Sequence, residues 1–292
     1  MSVVQKKITV FDAVLFIAFV LLSATFVYPL LNMLAMSFSD ASVLKSSPVF
    51  LKPYGFSVEA YIALLKDKST LLYYWNTIKY AALGTVLMLL STSLMAYPMS
   101  LRSLRGRRFF TVLLTITMFF GGGLIPTYIV IQRLKLVNTL WVMILPGAIS
   151  AYNVIVFKTF FMTLPESLKE SAFLDGAGHL RVLFYIVLPL SKAVLATFTL
   201  FSVVGYWNDY LTAIIYLRDS DRFPVQILLR KLLVLIEAKD EASRALLQQF
   251  ASVSSRTTKA AATIITVVPI LCVYPFLQKY FAQGTLIGSI KA

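Results

Sequence analysis

The chain has 292 residues, of which 59% are hydrophobic and only 14% charged, and its mean hydropathy is +0.80. That is too little polar side chain to cover the surface of a soluble domain, so composition alone describes a polytopic membrane protein. The net charge of +14 does not point to nucleic acid, because the Lys and Arg residues lie beside apolar segments and not in a stripe with interleaved aromatics.

Six apolar runs, at 14–38, 80–101, 109–132, 136–157, 193–217 and 260–278, each come close to the roughly 20 residues that carry a helix across hydrocarbon. The expected fold is therefore an all-α membrane protein, one transmembrane domain of six helices over residues 1–292. The first run follows Lys6 and Lys7, but it is too long for a signal peptide and lacks a small-residue cleavage site, so it reads as a retained anchor. Beyond it, Ser57 is placed to cap a short outer helix that runs through Lys66.

The third run contains Gly121-Gly122-Gly123, then Pro126, Thr127 and Tyr128. Gly121 falls about 18 Å from a start at Phe109, near the bilayer midplane, and a break is expected there. Two accounts stay open: backbone lining a pathway with Tyr128 as a stacking group, or close glycine packing with a proline kink. Asn153 in the fourth run is a lone amide, either a pathway contact or structural glue between helices.

From Leu164 the apolar character lapses. Pro165 suits a first helical turn, Glu166 favours the positive end of the dipole, and Gly176 can take the left-handed conformation that closes a helix. Residues 164–190 thus read as a helix-turn-helix lever on the membrane surface. In the fifth run, Tyr206-Trp207-Asn208-Asp209-Tyr210 places a carboxylate about 25 Å along a helix counted from Lys192. A carboxylate at that depth is costly unless it faces water or the protein interior, which suggests a site. The competing account is an interfacial aromatic belt with Asp209 satisfied by a neighbouring helix. After Pro224, residues Val225, Leu228, Leu229, Leu232 and Leu235 share one face of a helix too short to span, an outer-surface element within the 218–257 loop.

Flanking charge orients the spans. If Lys6 and Lys7 are cytoplasmic, so are Arg102, Arg105, Arg107 and Arg108 between runs two and three, and Lys169 and Arg181 around the lever. The other side is more balanced, with Lys45, Lys52, Lys66 and Lys68 beside Asp40, Glu59 and Asp67; Arg133 and Lys135 run against the rule. Both termini and the lever are then cytoplasmic. One Cys, Cys272, and one His, His179, leave no disulfide framework and no metal or redox cluster. No glycine precedes the Lys-Ser at 68–69 or the Lys-Thr at 158–159, so no phosphate-binding loop is present and energy has to come from another polypeptide.

The segment Glu170-Ser171-Ala172, then Asp175-Gly176-Ala177, then Pro189, resembles the EAA loop of the membrane subunits of ABC importers, with Ser171 replacing the second position by another small residue. The Asp-Gly-Ala form, the Trp-Asn-Asp stretch at Trp207 and the Gly-Ser-Ile-Lys-Ala tail resemble the oligosaccharide and polysaccharide branch of the maltose permease family. The resemblance implies a bacterial inner-membrane permease with no catalytic residues and no cofactor of its own, ATP and Mg being held by two partner ATPase subunits. It implies a second related permease subunit and an extracytoplasmic solute-binding protein that touches the 218–257 region. Glu170, Ser171, Ala172, Asp175, Gly176 and Ala177 would couple to the ATPase, Glu170 by pairing with a basic residue. Tyr128, Asn153, Tyr206, Trp207, Asn208 and Asp209 would line the path of a carbohydrate, neutral or acidic like alginate or pectin fragments, supplying hydroxyl partners and flat faces. The tail from Gly284 would reach between the ATPase subunits. The alternatives are an ABC importer permease for another solute and an ion-coupled secondary transporter, the second of which calls for inverted repeats and several midplane carboxylates. An intramembrane enzyme calls for clustered nucleophiles and bases that the sequence lacks.

Overall fold

The computed structural model describes residues 9–40, 51–237 and 255–289. Lys6, Lys7 and Lys45, residues 238–254 of the outer loop and residues 290–292 of the tail lie outside the described residues. Apart from one isolated bridge between Ser39 and Phe56, the described regular structure is helical. Two compact units are distinguished, 1–67 with 229–267, and 68–228 with 268–292.

In the first unit, helix α1 (Val10–Ser37) begins with a capping box: Thr9 Oγ1 accepts from the Asp12 amide at 3.2 Å, and Asp12 Oδ2 accepts from the Thr9 amide at 2.9 Å. Its apolar residues stay exposed on every side through most of its length, as in a helix solvated by lipid. Ser37 Oγ meets Tyr61 Oη at 2.6 Å, and Phe38 packs on Phe56 and Tyr61, tying the end of α1 to α2 (Glu59–Lys66). The cap position of α2 is not Ser57, as expected from sequence, but Val58, which makes no side-chain capping bond; Ser57, one residue earlier, only accepts from the Glu59 amide at 3.3 Å.

The second unit is built around α3 (Lys68–Ser100). Against it pack α7 (Ala151–Thr163) and α11 (Lys192–Asn208), with Phe157, Phe161, Val154, Ala96, Tyr97, Val187 and Phe198 in the shared core. Phe157 meets Phe161 and Phe198 edge to face, at centroid distances of 5.8 and 5.1 Å. Because lipid is as apolar as these side chains, close fit and not exclusion of water holds such a core.

Hydropathy locates the apolar runs, but the third and fourth are bent and the fifth is interrupted. The third is α4 (Arg107–Phe119) and α5 (Leu124–Arg133), at 111° across the expected glycine break, where Gly123 has φ +78°. The fourth is not the single rod expected at 136–157. It comprises α6 (Leu140–Ile144) with a 3-10 turn through Gly147, then α7, bent by 50° and continuing to Thr163; Pro146, which lacks an amide donor, lies in the turn. The fifth stops at Asn208: Asp209 leaves the helix, its Oδ1 accepts from the Thr212 amide at 3.0 Å, and a new helix, α12 (Leu211–Tyr216), follows. Among the described residues three helices are long and apolar enough to cross a membrane, or up to six if each bent pair counts as one span, the last pair being 179–190 with α11 at 83°.

The remaining elements are α8 (Glu166–Leu174), α9 (His179–Val182), a π-helical turn to Val187 that leads into α10 (Leu188–Leu190), then α13 (Val225–Glu237) and α14 (Ser255–Ser289). On α13, Val225 and Leu232 are buried and Leu228 and Leu229 half-buried, but Ile227, off the expected face, is buried too, and the Leu235 side chain lies outside those described.

Candidate functional site: a helix-turn-helix and a polar cavity

The lever has the expected helix-turn-helix form, closed by a complete Schellman motif. Gly176 has φ +80°, its amide donates to the Phe173 carbonyl at 3.0 Å, and the Ala177 amide reaches back to the Ala172 carbonyl at 2.9 Å. A side chain at Gly176 would strain this turn. Helix α8 is two-faced. Glu170, Ser171 and Leu174 point outward, Leu174 being 89% exposed, while Ala172 and Phe173 pack half-buried against the core. Ala172 and Ala177 also line a recess of about 350 Å³ with Asp175, Arg181 and Tyr185. The four outward acidic and small positions expected to couple, Glu170, Ser171, Asp175 and Gly176, are exposed; the two alanines are turned partly inward.

Lys169 is the residue that sequence reasoning misplaced. Read as a flanking cation, it is 6% exposed, and its Nζ donates at 3.0 Å to the Phe161 carbonyl, one of the last acceptors of α7 that no intrahelical amide reaches. A cation at a helix C-terminus is favoured by the dipole as well. Burial holds the ammonium below the usual lysine range, and Glu166 beside it offsets part of that. Glu166 also pairs with Arg102 at 3.1 Å, an exposed bridge between the lever and the loop after α3.

In the same unit, Asn153, Tyr206, Asn208 and Asp209 come together in one cavity of about 510 Å³ with Tyr152, Phe198, Phe201 and Ser202. Amides, a carboxylate and hydroxyls thus share walls with flat aromatic rings, a chemistry suited to polyols. Tyr206 is seated by two glycines. An added Cβ at Gly84 would lie 2.3 Å from its ring and one at Gly147 2.7 Å from its Oη, which donates to the Ile144 carbonyl at 3.1 Å. Asn208 Oδ1 accepts from Gln226 Nε2 at 2.9 Å, and Thr85 Oγ1 donates to Ser202 Oγ at 3.0 Å.

Two expected pathway residues are elsewhere. Trp207, one position from Tyr206, is turned about 100° around the helix and is buried with Tyr73, Tyr74 and Val225. Tyr128 stacks on Tyr216 at 5.7 Å, outside this cavity. Sequence reasoning also missed the polar clasp that holds 219–225 to α3: Asn76 Nδ2 donates to the Asp221 and Phe223 carbonyls, Tyr80 Oη to Arg222, and Thr77 Oγ1 accepts from the Val225 amide. Among the described residues no group of His, Cys, Asp and Glu side chains is arranged to hold a metal ion.

A family model described as "Binding-protein-dependent transport system inner membrane component" matches residues 80–287. The polygalacturonan/rhamnogalacturonan transport system permease protein YtcP of Bacillus subtilis (strain 168) is 38% identical over 289 residues, covering 98% of this chain and 99% of the relative. Protein LplC of the same organism is 40% identical over 265 residues, 91% and 89% of the two chains. Among solved structures, one chain of a bacterial ABC transporter involved in the import of the acidic polysaccharide alginate superposes with a TM-score of 0.85 at 32% identity, covering 96% of this chain and 100% of that one.

Proposed function

The chain belongs to the family of inner membrane components of binding-protein-dependent transport systems, an ABC importer permease, and from that premise we propose that it carries an oligosaccharide or polysaccharide fragment by alternating access. Membership in that family also sets aside the ion-coupled and enzymatic alternatives. One observation carries the substrate class: Asn153, Tyr206, Asn208 and Asp209 share one cavity with aromatic walls. The relatives named for polygalacturonan and alginate support a uronate-containing cargo. The lining of this cavity carries Asp209 and no cation.

In this reading residues 1–292 form one permease domain of six spans in a bacterial cytoplasmic membrane, with both termini cytoplasmic. It pairs with a second permease subunit, two ATPase subunits holding ATP and Mg, and an extracytoplasmic binding protein that meets the 218–257 loop. Glu170, Ser171, Asp175 and Gly176 face the ATPase, and exposed Leu174 adds an apolar contact. Lys169, Ala172 and Ala177 carry the motion into α7 and the core. ATP-driven closure displaces the lever, the spans reorient, and the cavity opens to the docked binding protein; hydrolysis resets it. The test is uptake by the reconstituted complex from its binding protein loaded with each of a panel of labelled glycans. Oligogalacturonides or other uronate oligomers are expected to accumulate with ATP consumption, and transport of amino acids or ions in their place would overturn the substrate class.

A further inference from the structure

Helices α4 and α7 pack antiparallel with two polar rungs one turn apart. Arg107 Nη2 reaches Met162 Sδ at 3.6 Å, and Lys158 Nζ donates to Thr111 Oγ1 at 2.8 Å. Both partners are four residues apart on both helices, so Arg107 and Thr111 share a face of α4, as Lys158 and Met162 share one of α7. Arg107, Arg108, Thr111 and Lys158 line a recess of about 370 Å³. Among the described residues none of these three cations has a carboxylate within ion-pair distance.

We propose that this recess binds the phosphodiester of an anionic glycerophospholipid. Three like charges around one opening repel one another, and an anion relieves that repulsion while accepting hydrogen bonds from donors that protein groups leave free. Lys158 uses one of its three donors on Thr111. It stands five residues before the end of α7, roughly 7 Å below it, the depth at which a lysine stem lies along apolar surface with its ammonium at the headgroups. The apolar part of the ligand has a track as well. From Arg108 the stripe Val112, Ile116 and Phe119 descends α4 at helical spacing, 50%, 49% and 72% exposed, and no residue of α4 is buried. Inorganic phosphate would use the cations and ignore that track; a phospholipid uses both, the cations through its phosphodiester and the track through an acyl chain. Basic recesses between helices at the cytoplasmic face suit acidic headgroups in this way. α7 leads directly into the lever, so the leaflet assignment, though not the site, rests on the cytoplasmic placement of residues 164–190.

The test is native mass spectrometry of the whole transporter complex, delipidated in detergent and then titrated with phosphatidylglycerol or phosphatidylcholine. Wild type is expected to retain phosphatidylglycerol over phosphatidylcholine. Lys158→Gln should weaken that binding about tenfold, the worth of one charge-assisted contact. Lys158→Arg should keep it, and Arg107→Gln with Arg108→Gln should abolish it. Should the double variant fail to assemble, the Lys158 pair decides alone. Equal retention of both lipids, or no change in Lys158→Gln, overturns the site. Displacement of bound lipid by millimolar inorganic phosphate shows a free-anion site and overturns the lipid assignment. Leaflet-selective labelling of the bound lipid separates the two readings: lipid held from the outer leaflet leaves the recess standing and contradicts the lever's placement.

Discussion

Lys169→Met removes the charged anchor of the lever while nearly conserving its volume. The wild-type ammonium makes a charge-assisted hydrogen bond of 3.0 Å to the Phe161 carbonyl in a site only 6% exposed. Such bonds contribute roughly 1.5–3 kcal/mol net, and the dipole of α7 adds up to about 1 kcal/mol. The desolvation that holds this lysine below its usual range works in the other direction. A net loss of about 2 kcal/mol follows, which multiplies the undocked fraction of α8 by about 30. Hydrogen exchange on the assembled transporter should therefore show faster exchange of the amides of α8, with little change in α11. In proteoliposomes containing the binding protein, solute imported per ATP should fall while basal hydrolysis persists, and Lys169→Arg should recover part of both. If the α8 amides keep their protection in Lys169→Met and import per ATP is unaltered, the inference that this lysine fastens lever to span is wrong.

Glu170→Lys reverses charge at an exposed position that the Phe161 anchor does not use; it should insert normally and lose substrate-stimulated ATP hydrolysis, measured against unstimulated hydrolysis. Gly84→Ala drives a methyl to within 2.3 Å of the Tyr206 ring and should cost about 1–3 kcal/mol of thermal stability. Tyr206→Ala in the same chain removes that clash, so the Gly84→Ala penalty should largely vanish in the pair; a penalty that persists would mean the tyrosine is not seated there. Asp209→Asn and Asn208→Ala should change the transport KM or the preference among glycans, whereas Trp207→Leu should lower stability and leave the preference intact, read by competition uptake.

What the sequence made legible were features encoded locally. The six apolar runs announce themselves by length, Gly121-Gly122-Gly123 marks a break, and Gly176 sits where an α8 needs a left-handed terminus. Directions were not legible, because hydropathy counts residues without saying where a run turns; hence the bend at Pro146 and the helix break between Asn208 and Leu211. Lys169 read as a surface cation since its partner is a backbone carbonyl, which leaves no trace in side-chain pattern. Tyr206 and Trp207 could not be sorted to opposite surroundings without knowing that two distant glycines, Gly84 and Gly147, make room for the tyrosine. Two glycines this far apart in the chain become a signal for one tyrosine only once the helices are packed.

In the proposed mechanism the 164–190 elbow passes force from an ATPase to the spans. Leu174→Cys, made with Cys272→Ser and assembled into the whole transporter in inside-out vesicles, tests it by cross-linking to single cysteines along the groove of the ATPase subunit. A disulfide to the ATPase that arrests import and is reversed by reductant is expected. Labelling of that cysteine only from the extracytoplasmic side, or a cross-link that leaves import running, would contradict it.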